Sequence, residues 1–287
     1  MKTIRQILLL PALVCAGSCA VLPDPWEADN LDLTVSRIYS GPVATDAADC
    51  ASQIALEKPE TPGELPAEDL RLVSWNIQKG ANSRWLQDLE RIEQGSELLL
   101  LQEANDAMAI PRRAGSRLIS SFAPGYRNAR LRTGLMTYSA SVPLTQCNLI
   151  TLEPWLRTPK ATLVTEYGLS QTDQNLVVVN VHGVNFSFGV TEFQRQIDQI
   201  RTVLESHDGP IVLAGDFNTW RGRRARIVET LVRDLSLHAP DFGRDHRTRV
   251  MGWPLDHVYV RGLTAGQVDS EPVRSSDHNP LMLSLAL

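Results

Sequence analysis

Six short polar motifs, each closing a run of apolar residues, constrain the fold of this 287-residue chain more than any other feature. They are Ser74-Trp75-Asn76-Ile77, Leu101-Gln102-Glu103, Val181-His182, Ala214-Gly215-Asp216-Phe217-Asn218, Leu255-Asp256-His257 and Ser276-Asp277-His278-Asn279-Pro280. A short apolar run bounded by polar or turn residues reads as a strand buried on both faces. Polar residues at the ends of such strands fall where an α/β scaffold places its chemistry. Strands are expected at 72–75, 97–102, 134–139, 161–167, 176–181, 211–214, 257–260 and 281–285. Asn82 or Ser83 caps an expected helix that runs to about Gln94, with Trp85, Leu89 and Ile92 on one face. Thr191 and Gln194 have capping-box spacing ahead of an apolar stripe of Phe193, Ile197, Ile200 and Leu204. Many strands with few helices between them predict two sheets packed face to face, with helices outside.

Charge and composition divide the chain. The net charge of -5 consists of +2 in the first twenty residues, -9 between Val21 and Leu70, and +2 from Arg71 onward. Lys2 and Arg5 precede an apolar stretch at 7–16, then Gly17, Ser18 and Cys19. That is the pattern of an export signal, and the stretch is too short to span a bilayer. Residues 1–19 are therefore read as a targeting segment, cleaved after secretion or lipidated at Cys19. Ala20 in place of Asp points, by analogy with bacterial lipoproteins, to the outer membrane. The expected location is the periplasm or a membrane anchor, with no protein partner implied. Residues 20–70, acidic and punctuated by six prolines, read as an extension or linker, and 71–287 as the catalytic domain. Of four cysteines, Cys50 and Cys147 remain after the targeting segment, and in an oxidising compartment they can pair. There is no C-x-x-C or H-x-x-x-H spacing.

The motif ends supply Asn, Glu, Asp and His, the side chains needed to hydrolyse a phosphoester with a hard metal. Oxygen ligands suit Mg²⁺, with Mn²⁺ as the other candidate. Glu103 is the first choice of ligand, with Asn76 beside it and Asp277 as a third oxygen. Alternation along an extended segment would place Asp216 and Asn218 on one side, the carboxylate toward water and the amide toward the phosphate. Asp256 can hold one nitrogen of His278 and so favour its imidazolium, while His182 and Asn185 can donate to the phosphate. Each motif alone also has a plain structural reading, as a turn or a strand-end charge.

The ordered set, with Gly134-Leu-Met-Thr-Tyr-Ser139 between the Glu and His motifs, resembles the endonuclease/exonuclease/phosphatase family from about Arg71 to Leu287. The resemblance implies the DNase I-like fold: α/β, a four-layer sandwich of two packed mixed β-sheets flanked by helices. It implies metal ligation by Asn76, Glu103 and Asp277, catalysis by His182, Asp216, Asn218, Asp256 and His278, and phosphate binding by His182, Asn185, Asn218 and His278. Within the family, Val181 to Gly189 is similar to uncharacterised bacterial members. Two departures bear on function. Ala140 stands where a basic residue usually follows Ser139, and His182 stands where abasic-site endonucleases carry Tyr. The second argues against base-excision repair.

Three functions remain open. Eight arginines against four acidic residues between Trp220 and Arg249 favour an envelope nuclease. His182, the envelope location and the apolar run 186–190 favour a phospholipid or phosphoinositide phosphodiesterase or phosphatase. A non-catalytic binding module is the third.

Overall fold

Sheet one is built around a leucine run. The computed structural model describes residues 37–39, 41–56, 63–93, 95–106, 118–127, 132–154, 156–185, 187 and 189–287, all within a compact unit from Asp32 to Leu287. Residues 1–36, with the expected signal and Cys19, and Phe186 and Phe188 of the apolar run lie outside the described residues. The elements are β1 (Arg37–Ile38), β2 (Val43–Ala44), α1 (Ala47–Ile54), β3 (Leu70–Asn76), α2 (Trp85–Glu93), β4 (Leu98–Asn105), β5 (Ile119–Arg127), β6 (Arg132–Ser139) and β7 (Thr145–Leu152). They continue with β8 (Pro159–Gly168), β9 (Asn175–His182), α3 (Thr191–Leu204), β10 (Ile211–Asp216), α4 (Gly222–Asp234), β11 (Arg249–Val250), β12 (Trp253–Pro254), β13 (Asp256–Arg261), β14 (Thr264–Ser270) and β15 (Leu281–Ala286).

Seven strands form one mixed sheet in the order β1-β5-β6-β4-β3-β15-β14, and six form the other in the order β13-β10-β9-β8-β7-β2. Alternation explains the layers. Leu98 and Leu100 face the second sheet, where they join Leu176, Val178, Val212 and Ala214, while Leu99 and Leu101 face α2 through Trp85 and Leu89. On the second sheet Val177, Val179 and Val181 point outward onto Phe193, Ile197 and Ile200 of α3. Each such buried side chain contributes roughly 1.5–3 kcal/mol, enough to offset the roughly 1–2 kcal/mol of backbone entropy lost per residue. The expected four-layer α/β sandwich is the observed fold. Thr191 and Gln194 do not form a capping box: α3 is capped at Val190 without a side chain, and Gln194 donates to Asp198 instead.

Of the strands six residues or longer, three escaped the sequence. β5 contains Pro124 and Gly125, residues that normally break a strand, and the ladder tolerates them at an irregularity between Pro124 and Arg127. Its partner Gly134 is required there, because a Cβ would sit 2.0 Å from the Ala123 carbonyl oxygen. β7 and β14 alternate polar and apolar residues too weakly to stand out.

The expected linker at 20–70 needs correction between residues 37 and 56. β1 pairs in parallel with β5, β2 pairs in parallel with β7, and α1 buries Cys50 and Ile54 against the α3 side of the second sheet. Two-residue strands and an eight-residue helix carry too little periodicity to be read locally. Long-range contacts hold them, together with the Cys50–Cys147 disulfide that ties α1 to β7 across a separation of 97 residues. Loop-closure entropy predicts that replacing both cysteines by serine lowers stability by about 2–4 kcal/mol. A urea-unfolding midpoint unchanged by that replacement would contradict this.

Candidate functional site

The two sheets each deliver one row of polar strand ends to the same edge of the sandwich. In the second sheet Asp216 is in register with His182 on one side and Asp256 on the other. Three adjacent strands thus end together on three titratable residues. Gly215 makes this possible: its φ is 137° and a Cβ would lie 2.2 Å from the Val181 carbonyl oxygen, so β10 can approach β9 only as glycine. In the first sheet Asn76 pairs with Gln102, and the next residue, Glu103, lies at a β-bulge with φ 56°. A bulge with a left-handed residue turns that side chain out of the ladder. Glu103 therefore projects into the cleft instead of packing in the sheet. His278 arrives on the loop before β15, where Trp75 Nε1 donates to its carbonyl at 2.8 Å and its own N–H donates to Ser276 Oγ.

Asp216 is the hub. Its carboxylate accepts from Asn76 Nδ2 at 3.1 Å, Asn218 Nδ2 at 3.2 Å and the Asn218 backbone N–H at 2.9 Å. His182 Nε2 and His278 Nε2 stand 3.7 and 3.8 Å from the same oxygen, just beyond hydrogen-bond distance. On its far side, His278 Nδ1 contacts Asp256 at 2.8 Å. Burial works against the imidazolium, but the carboxylates of Asp256 and Asp216 outweigh it and push His278 up to about 10. Burial pushes Asp256 up only to about 6, so the pair is carboxylate and imidazolium at neutral pH.

His182 is different. Lys160 Nζ lies 2.8 Å from its Nε2. Burial, reinforced by the Lys160 charge, holds His182 well below the usual imidazole range. The ring is neutral and its Nε2 accepts from the ammonium. Burial also lowers Lys160, opposed by the carboxylates of Glu153, Asp216 and Glu103.

Several expected roles shift. Asn76 orients the Asp216 carboxylate: its nitrogen donates to Asp216, while its oxygen accepts from the Gln78 N–H. Asn218 adopts φ 53°, not an extended conformation, and its amide donates to Asp216 and to the Gly183 carbonyl. Asn185 accepts from Trp220 Nε1 and lines a cavity with Asn218, Asp277 and His278. Glu103 lines a second cleft with Lys79, Lys160 and His182. Among the described residues, the His, Cys, Asp and Glu side chains that converge within 4.8 Å are Asp216, Asp256 and His278.

A hard cation would fit Glu103 best. Its carboxylate meets Lys79 at 3.8 Å and His182 at 3.9 Å, both beyond hydrogen-bond distance, while Asp256 is already committed to His278. An oxygen donor open to a cleft is what Mg²⁺ or Mn²⁺ takes.

Two contributors were missed. Lys160 opens β8, and the one available signal was scarcity: the chain has only four lysines against 24 arginines, and two of them, Lys79 and Lys160, line the Glu103 cleft. Arg224 is fully buried under the site. It donates to the carbonyls of Val184, Asn185 and Asn218 and to Ser187 Oγ. In the sequence it is one arginine among many.

His257 supports the site from below. Its Nε2 lies 3.1 Å from the Pro254 carbonyl, and Tyr259 Oη donates to its Nδ1 at 3.0 Å, a bonding pattern for the neutral ring. Burial drives it down to about 3. Below about pH 6.5 the unfolded chain binds a proton that the folded one refuses, so stability falls as pH falls. The wild type should lose about 1–2 kcal/mol between pH 6.5 and 5 that His257→Asn does not lose. Equal pH slopes in urea unfolding would refute this.

Comparison with known proteins agrees with this geometry. Residues 73–278 match the family model described as the Endonuclease/Exonuclease/phosphatase family. A UPF0294 protein of Yersinia pseudotuberculosis is 39% identical over 218 residues, 76% of this chain and 84% of the relative. One from Vibrio vulnificus is 35% identical over 263 residues, 88% of this chain and 91% of the relative. Among solved structures, a family protein from Leptotrichia buccalis superimposes with TM-score 0.59 at 13% identity, covering 76% of this chain and all of that one. The human Nocturnin catalytic domain, with bound sulfate, gives 0.58 at 14% identity, covering 78% and 95%. With the fold, the ordered strand-end residues and the family model in agreement over most of its length, the chain belongs to the endonuclease/exonuclease/phosphatase family.

Proposed function

We propose that the chain is a divalent-metal-dependent phosphodiesterase of the cell envelope. The observation that carries this is the convergence of a held carboxylate, Asp216, with the Asp256–His278 ion pair beside an open carboxylate, Glu103. His278 Nε2 donates to a non-bridging oxygen, with the charge kept on the ring by Asp256. Asp216, held by Asn76 and Asn218, accepts the proton of the attacking water as the bond to the leaving oxygen breaks. Lys160 adds positive charge beside His182. Glu103 would hold the metal, which supplies charge neutralisation at the phosphate and the leaving oxygen.

The nuclease reading has less support than the arginine count suggested. Arg224 is buried, Arg221 stacks on Trp220, Arg233 pairs with Asp234, and Arg247 and Arg249 share Asp245. The export pattern and the disulfide, a bond of oxidising compartments, support the envelope location, periplasmic or anchored through Cys19.

Hydrolysis of bis-p-nitrophenyl phosphate tests the chemistry. Turnover should appear with Mg²⁺ or Mn²⁺ and vanish with EDTA, and Glu103→Gln should need about tenfold more metal or greater. Turnover indifferent to chelation, or none with either cation, would overturn the proposal.

A further inference from the structure

The catalytic strand ends open into two cavities of different character. The cleft of about 350 Å³ around Glu103 is charged, with Lys79, Glu153 and Lys160 in its wall. The other, of about 690 Å³, begins at Asn218 and His278 and is walled by Leu156, Trp220, Val250 and Leu255. Polar chemistry therefore adjoins an apolar chamber large enough for part of an amphiphile.

The mouth of that chamber is apolar too. The β11–β12 hairpin turns through Met251 and Gly252, both with positive φ (51° and 83°), and its tip side chain, Met251, is 81% exposed. Val250 at 41%, Trp253 at 40% and, from the loop after β7, Leu156 at 66% are exposed with it. An apolar tip of this kind costs free energy in water unless something covers it. An exposed cation stands beside it: a Cβ on Gly222 would meet both the Trp253 ring and the Arg226 guanidinium. Arg249, paired with Asp245, braces the turn by donating to the Gly252 carbonyl. Apolar side chains with an exposed arginine beside them fit a surface that is anionic at its head groups and apolar beneath. A nucleic acid is the weaker fit in the chamber, because Trp220 in its wall already carries the Arg221 and Arg224 guanidiniums at 4.6 and 5.0 Å.

We infer that the substrate is a membrane phospholipid, engaged at the bilayer surface by the 249–254 hairpin, its phosphodiester beside His278 and its acyl portion in the apolar chamber. The hydrolytic step rests on the phosphodiesterase reading above; the surface contact does not.

The test uses the full chain and Met251→Asp, a change that keeps a residue tolerant of positive φ and leaves the chamber wall untouched. Vesicles are equal parts phosphatidylethanolamine and phosphatidylglycerol. With vesicles, amide exchange across 249–255 should slow about threefold or more in the wild type and not in Met251→Asp. Phosphate head-group release should fall about tenfold in the variant, while bis-p-nitrophenyl phosphate turnover stays within about twofold. No hairpin protection, equal lipid turnover by both chains, or cleavage of single-stranded DNA without any lipid turnover would overturn the inference. Hairpin protection without turnover of the soluble diester would overturn the hydrolase reading alone.

Discussion

His278→Ala is expected to lower metal-dependent hydrolysis of bis-p-nitrophenyl phosphate by about 10³-fold. The size follows from the site. The imidazolium is a charge-assisted donor, buried, and fixed in direction by Asp256 at 2.8 Å. Losing one such donor to a developing oxyanion typically costs about 10²–10³-fold, and burial of this one places it at the upper end. Asp256→Asn keeps the shape but removes the charge that holds the proton on His278, and should approach the same loss. Asp216→Asn should do likewise, since the amide can still meet Asn218 but cannot take a proton from water. These residues act as a unit, so the His278→Ala, Asp216→Asn double variant should be little worse than either single one. A loss below about tenfold in His278→Ala would remove it from the reaction. Independent, multiplying losses would mean that the two residues do not share one step.

Arg224→Met should destabilise the fold by about 3–5 kcal/mol, lowering Tm by roughly 10 °C. Burial pushes the guanidinium down only to about 10, so it is charged at neutral pH. It meets three carbonyls and a hydroxyl, and lies 4.9 Å above the Phe193 ring. Methionine would fill much of the volume but leave those acceptors unpaired in a dry environment. Arg224→Lys keeps a charge but lacks the planar fork that reaches all four, and should recover only part of the loss. Because Val184, Asn185 and Asn218 all hang on this side chain, activity should fall together with Tm. A calorimetric change under about 1 kcal/mol would show that the cradle stands without it.

Arg224 also marks how far the sequence could be read. The strand ends were legible because a buried strand must be apolar for its whole length, so the first polar residues after Leu101, Val181 and Ala214 announce themselves. Their types, Glu103, His182 and Asp216, pointed to phosphoester chemistry before any geometry was known. Roles were harder. Asn76 and Asn218 were read as metal and phosphate ligands, yet both amides turn to Asp216, because a buried carboxylate needs donors and these were the nearest. Arg224 could not be told from its exposed neighbours Arg223 and Arg226, since burial depends on which face of α4 meets Phe193.

The apolar runs and their terminal residues, local features of the chain, determined the two-sheet sandwich and the strand-end members of the site. Hydrophobic burial acts on each strand's own pattern, so that much needs no knowledge of neighbours. What the tertiary structure alone decided is everything set by contacts distant in sequence. Examples are the bulge that turns Glu103 outward, the ammonium of Lys160 against His182, the incorporation of 37–56 through short parallel pairs and a disulfide, and the apolar hairpin at the chamber mouth. Hydrogen bonds and charges act over a few ångströms, and only the folded chain brings those partners within that reach.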